Sequence, residues 1–218
     1  MNNKKPPRTC LQVCVSLLEY ADNTERQLYE KLEKRGYPRD EIAAAIALLK
    51  EKRLFSERDY AFRYAYSAAK NKQWGPRRIL LSMREKGFSQ ENLRAVENAL
   101  GVHAFDVRAL RDAGAEASQE ALSPGNDNSA IENLLSTLDF PAICAILMMR
   151  VLRAAANAPL REYFESGSIS ADTTRQKLYA SRQKLVAALL RRGFSMDTIR
   201  DAEELVREKL REERADEE

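Results

Sequence analysis

The chain of 218 residues holds one histidine, His103, three cysteines and one tryptophan. A metal site built from the usual His and Cys ligands therefore lacks donors, and we expect neither metal nor cofactor. Cys10, Cys14 and Cys144 are odd in number and form no disulfide framework. They read as buried, inert thiols in a reducing compartment. Glycine and proline are scarce, at 8 and 7, which leaves room for long helices. Long hydrophobic runs are missing too. The most apolar window, Pro141 to Ala156, is broken by Arg150 and Arg153 and is too short to span a bilayer. The stretch Leu11 to Leu18 contains Gln12 and Ser16 and runs into Glu19, so it makes a poor signal peptide. The expected location is the cytoplasm. No GxxxxGK[ST], CxxC, HExxH or GxSxG motif appears. Adjacent carboxylates such as Glu203-Glu204 point to different sides of a helix. We therefore expect no enzyme, and no catalytic residues.

What is plentiful is helix-forming sequence: hydrophobic residues reach 44% and charged residues 32%, with both signs mixed. The net charge is only +3, but it is unevenly spread. Thr174 to Arg192 carries six basic residues and no acidic one. Asp197 to the end carries ten acidic and five basic. Such alternation allows one strongly positive surface.

Three segments align without gaps: Glu25 to Leu49, Pro76 to Leu100, and Arg182 to Val206. Each centres on a glycine-aromatic pair, Gly36-Tyr37, Gly87-Phe88 or Gly193-Phe194. Before each glycine stand Leu28 and Leu32, Ile79 and Met83, or Leu185 and Leu189, an i, i+4 apolar stripe on a helix. Thr24, Gly75 and Ser181 occupy the matching N-cap position, and Thr24 with Gln27 makes a capping box. The glycine is the left-handed residue that ends the helix. A second helix follows, capped by Ser89 or Ser195, with Pro38 at that place in the first copy. Its apolar face holds Ile42, Ala45 and Leu49 and their counterparts.

A further helix precedes the first two pairs, over Arg8 to Ala21 and Ser56 to Lys72. Tyr60, Tyr64 and Tyr66 on the latter read as core rather than a stacking platform. The unit is thus three helices, and the fold class is all-α: tandem three-helix repeats forming an elongated, curved array. Repeat one takes 8–54 and repeat two 55–101. An insertion or linker rich in small and polar residues follows at 102–138. Repeat three takes 139–212, opening with the apolar helix Asp139 to Asn157 and containing an internal loop at 158–173. The acidic tail 213–218 is expected to fray. A helix apolar nearly all round is usually buried or covered by a partner.

Leu54 to Ser89, LFSERDYAFRYAYSAAKNKQWGPRRILLSMREKGFS, resembles the signature of the RecX regulatory proteins. Leu17 to Leu49 is similar to that family's first repeat, and Arg182 to Ile199 to its third. The resemblance implies a helical regulator that binds the RecA recombinase filament and usually restrains its ATPase and strand exchange, in DNA repair, recombination and the SOS response. It also implies contact with DNA in some members. The partners expected are therefore the RecA filament and single- or double-stranded DNA, with a monomeric chain and no membrane.

Two other readings remain open on the residues alone: a helical nucleic-acid-binding protein, or an α-helical adaptor that does without RecA. The candidate partner-binding residues are the dense basic stretch Lys70, Lys72, Trp74, Arg77, Arg78, Arg84 and Lys86. Lys31, Lys34, Arg182, Lys184 and Arg191 are weaker candidates. Arg35, Lys86 and Arg192 recur just before each glycine, where a cation also offsets the helix dipole.

Overall fold

A computed structural model describes residues 8–101, 129–154, 158–166 and 172–216. Among them every regular element is a helix: α1 (Cys10–Tyr20), α2 (Glu25–Glu33), α3 (Arg39–Glu51), α4 (Glu57–Lys72), α5 (Pro76–Lys86), α6 (Gln90–Ala99), α7 (Ser129–Ser136), α8 (Phe140–Leu152), α9 (Ala158–Ser166), α10 (Asp172–Arg191) and α11 (Met196–Ala215). No helix among these residues is long and apolar enough to cross a membrane. The chain divides into two compact units, Met1–Tyr66 with Leu80–Ser136, and Ser67–Ile79 with Thr137–Glu218.

In the first unit, α1, α2 and α3 pack on one another. The stripe residues Leu28, Leu32 and Ile42 are fully buried there. Cys10 and Cys14 form the buried edge of α1, with Leu11, Val15 and Leu18 only partly covered. Each fully buried leucine or isoleucine contributes about 2 kcal/mol by burial. Burial also pushes the Cys14 thiol up to about 11, as removal from water penalises a thiolate. Tyr60 is buried, and its ring lies 4.9 Å from that of Phe88, with Tyr64 at 5.7 Å. These aromatics hold the turn after α5 rather than form an open platform.

In the second unit, α8 packs along α11, while α9 packs against α11 and α10. Arg182 forks onto the buried Glu203 of α11, Nε to Oε1 at 3.0 Å and Nη2 to Oε2 at 2.8 Å. Burial pushes the Cys144 thiol of α8 up to about 12, helped by the nearby Glu203 charge.

All three glycines end their helices with φ between 81° and 88°. In each case the glycine N–H and the following aromatic N–H bond back to two carbonyls of the helix just ended, as with Gly193 to Leu190 and Phe194 to Leu189. That is the Schellman arrangement. Thr24, Ser89, Ser195 and Asp139 cap their helices as expected.

The third repeat departs from expectation in three ways. Residues Ala158–Ser166 form α9, not a loop. Pro159 lies in the first turn, where a missing N–H costs nothing. Both α8 and α9 therefore precede the third pair, α8 packing on α11 and α9 on α10 and α11. Ser181 is not a cap: α10 runs unbroken from Asp172 to Arg191, because no glycine or proline interrupts that stretch. The acidic tail is helical as far as Ala215. Within the expected linker, Ser129–Ser136 is helical. The rest of that stretch up to residue 128 lies outside the described residues, as does His103.

Candidate functional site

The basic stretch around Trp74 takes its shape from the end of α4. Gln73 adopts a left-handed φ of 53°, an uncommon conformation for a residue with a side chain. The Trp74 N–H then bonds back to the Ala68 carbonyl at 3.2 Å. Gly75 and Pro76 follow and start α5. In this second unit the start of α5 rests on the glycine turn that ends α10. The Gly75 N–H donates to the Arg192 carbonyl at 2.8 Å, and the Arg77 N–H to the Gly193 carbonyl at 3.3 Å. A Cβ on Gly75 would lie 2.4 Å from the Gly193 backbone, and one on Gly193 would lie 2.4 Å from the Arg78 nitrogen. Only two glycines facing each other allow so close an approach.

The cations gather at this joint. Arg78 Nη1 donates to the Arg191 carbonyl at 3.1 Å, and Arg192 Nη1 donates to the Lys72 carbonyl at 3.3 Å. Each guanidinium thus caps the C-terminal end of a neighbouring helix, where positive charge offsets the helix dipole. Trp74 is half-buried. Lys72 Nζ lies 4.5 Å from its ring centroid and Arg78 Cζ lies 4.8 Å away, within cation–π range. Lys70 and Lys72 are exposed on the last turn of α4, and Arg77 is half-buried. Arg150 of α8 reaches Gln73 Oε1 at 3.5 Å.

The structure therefore brings Lys72, Trp74, Arg77, Arg78 and Arg191 together at one joint, with Lys70 on the adjoining turn. It does not gather all the candidates there. Arg182 pairs with Glu203 at 2.8 Å while its side chain stays 39% exposed. Lys184 is exposed elsewhere on α10. Arg84 and Lys86 belong to the first unit, where Arg84 is exposed and Lys86 Nζ sits 5.3 Å from the Tyr64 ring centroid. Lys31 bonds the Asn23 side chain, and Lys34 is exposed. Gln73 and Arg150 are participants that sequence reasoning missed, and no local pattern marks them. Arg192 carried a signal, its recurrence before the glycine, but that signal has a structural cause here.

The first unit contains the matching joint. Thr24, which aligns with Gly75, donates from Oγ1 to the Lys86 carbonyl at 3.2 Å, and Lys86 aligns with Arg192. Beside it sits Glu57, only 6% exposed. Its carboxylate accepts from the Glu25 N–H at 2.8 Å, the Ser89 N–H at 3.2 Å and Asn92 Nδ2 at 2.8 Å. It thereby faces the N-terminal ends of both α2 and α6, where negative charge is favoured.

Among the described residues no group of three or more His, Cys, Asp and Glu side chains is placed to hold a metal. The arrangement presents charge and one aromatic face.

A family model for the first three-helix domain of RecX matches residues 10–49, and one for the third three-helix domain matches residues 171–202. The regulatory protein RecX of Mycolicibacterium smegmatis is 30% identical over 128 residues, covering 58% of this chain and 68% of that one. The chain belongs to the RecX family. The RecX of Clostridium botulinum is 33% identical over 89 residues, and the chain spans 41% of that relative's length. The crystal structure of RecX from Lactobacillus salivarius superposes with a TM-score of 0.56 at 16% identity, covering 90% of this chain and 94% of that one. It shares the tandem helical fold. The first RecX domain coincides with α1 to α3, and the third covers α10 and the opening of α11.

Proposed function

We propose that this RecX-family chain binds the RecA recombinase filament and slows its ATP hydrolysis and strand exchange, with the cations around Trp74 facing the filament. The observation that supports this reading best is the Trp74 joint, where an aromatic ring and exposed cations stand on a base of backbone hydrogen bonds. Rigid placement lowers the ordering cost of binding. A filament on DNA is a dense array of phosphates and acidic side chains, and a positive ridge steers and orients docking to it. Trp and Arg are also the residues on which binding energy concentrates.

The test adds the protein to RecA on single-stranded DNA and follows ATP hydrolysis. The expected result is a saturable fall in rate at micromolar protein or below. An unchanged rate across that range contradicts the proposal. A second titration, against single-stranded DNA alone with rising salt, separates the nearest rival. Tight binding without RecA, with a steep salt slope and no effect on the filament, moves the function to plain nucleic-acid binding.

A further inference from the structure

The helix α8 has a composition that the site above leaves unused. It reads FPAICAILMMRVL, apolar but for Arg150. Most of it is buried against the second unit, yet Ile146 remains 52% exposed, and Leu205 of α11 beside it 39%. Between the two helices lies an open groove of about 560 Å³ with Ala142, Ala145, Met149 and Val206 in its lining. An apolar strip of this kind on a surface marks a contact.

The rims of the groove differ in sign. Arg150 and Arg153 line the α8 side; Glu208 and Glu212, with Lys209, line the α11 side. The two helices run in the same direction. Cys144 near the start of α8 feels the charge of Glu203, and Arg153 just after its end bonds Glu213 at 3.3 Å. A two-fold axis parallel to them would lay α8 of one copy over α11 of the other, twice. Apolar strip then meets apolar strip, and the cationic rim meets the acidic rim on both sides. A two-fold axis across the helices would set like charge on like charge. A surface whose halves are complementary under a two-fold rotation is what an isologous contact requires.

We infer that the α8–α11 face is a self-association surface, and that its occupant is a second copy of this chain. This sets aside the expectation of a monomer. The thirteen residues of α8 span roughly 20 Å at ~1.5 Å per residue. A two-helix face of that length covers on the order of 400 Å² per copy, below the ~800 Å² per partner of a standard interface. So small an interface makes the dimer reversible and concentration-dependent.

Sedimentation equilibrium of the full chain from about 1 to 200 μM tests this. The expected result is a weight-average mass that climbs from 24.8 kDa towards twice that value. Ile146→Glu, at an exposed position that the fold tolerates, holds the mass at the monomer value while the helical circular dichroism is unchanged. Arg150→Glu and Glu208→Arg each weaken association about tenfold or more, and the two together restore it. A wild-type mass that stays at the monomer value overturns the inference and leaves the groove to a helix of some other protein. So does an Ile146→Glu variant that still dimerises, or a double charge swap that does not recover.

Discussion

The two joints occupy equivalent places in the repeat and are built from different chemistry. In the first unit, side chains carry the contact: the Thr24 hydroxyl reaches the Lys86 carbonyl, and the Glu57 carboxylate gathers two backbone N–H groups and an amide. In the second unit, backbone meets backbone, and Gly75 and Gly193 face each other with no room for a Cβ. A side-chain joint fails by degrees, since each substitution removes one hydrogen bond. A backbone joint fails abruptly, because any added atom collides. At the second joint the surrounding side chains are an aromatic ring and cations, with Lys72 and Arg78 against the Trp74 ring, whereas the first joint is held by the polar side chains of Thr24 and Glu57.

The largest expected effect breaks the backbone joint. Gly193→Ala places a Cβ against the Arg78 backbone at a left-handed φ and should cost about 3 kcal/mol or more. Gly36→Ala has the same φ with nothing within 4 Å and should cost only about 1 kcal/mol. Urea denaturation of both variants measures the gap. Equal losses would mean that strain alone, not the joint, selects glycine at 193.

Next comes Glu57→Gln, which retains the shape but removes the charge and one acceptor. Losing charge-assisted bonds in a buried position costs about 1–3 kcal/mol. The same denaturation series checks it, and a loss under half a kcal/mol would demote Glu57 from its place in the first joint. Thr24→Ala should cost about 1 kcal/mol, for the cap and the Lys86 bond together. A loss as large as that of Gly193→Ala would erase the contrast between the joints.

The remaining effect is on pH and is absent at neutrality. Burial holds the Cys144 thiol at about 12, against an ordinary value near ~8.5. The folded chain therefore keeps this proton more tightly than the unfolded chain. Its contribution is fully present below about pH 8.5 and declines as pH rises from there towards 12. Cys144→Ala should flatten that decline in a thermal-unfolding series, and a variant with the same alkaline slope would contradict it.

The joints show how far the sequence could be read. The glycine positions were legible because a left-handed helix end with an aromatic after it is a local requirement, satisfied by hydrogen bonds between near neighbours such as Tyr37 and Leu32. The apolar stripes were legible for the same reason, and all three pairs are buried as expected. What Thr24 and Gly75 touch was not legible. Both looked like ordinary N-caps, and their partners lie in another copy of the repeat. Ser181 misled because a repeat alignment assigns the same boundary to each copy, while helix length follows from where breakers stand. The loop expected from residue 158 is instead a helix over Ala158–Ser166, since proline near the start of a helix permits it. Of the candidate site, the stretch Lys70 to Arg78 was visible as a basic run. That Arg78 and Arg192 cap neighbouring helices, and that Arg182 is paired with Glu203, depends on contacts across the fold that no spacing encodes.

The most direct test of the whole account compares charge reversal at the two units. Lys70→Glu with Lys72→Glu removes exposed cations beside Trp74. Lys34→Glu with Arg84→Glu removes the same charge from the first unit. Both pairs are read in RecA ATP hydrolysis on single-stranded DNA, at equal helical content. The account predicts at least a roughly tenfold loss of inhibitory potency for the first pair, and less than about twofold for the second. Equal losses in the two pairs, or a loss confined to the second, would contradict it.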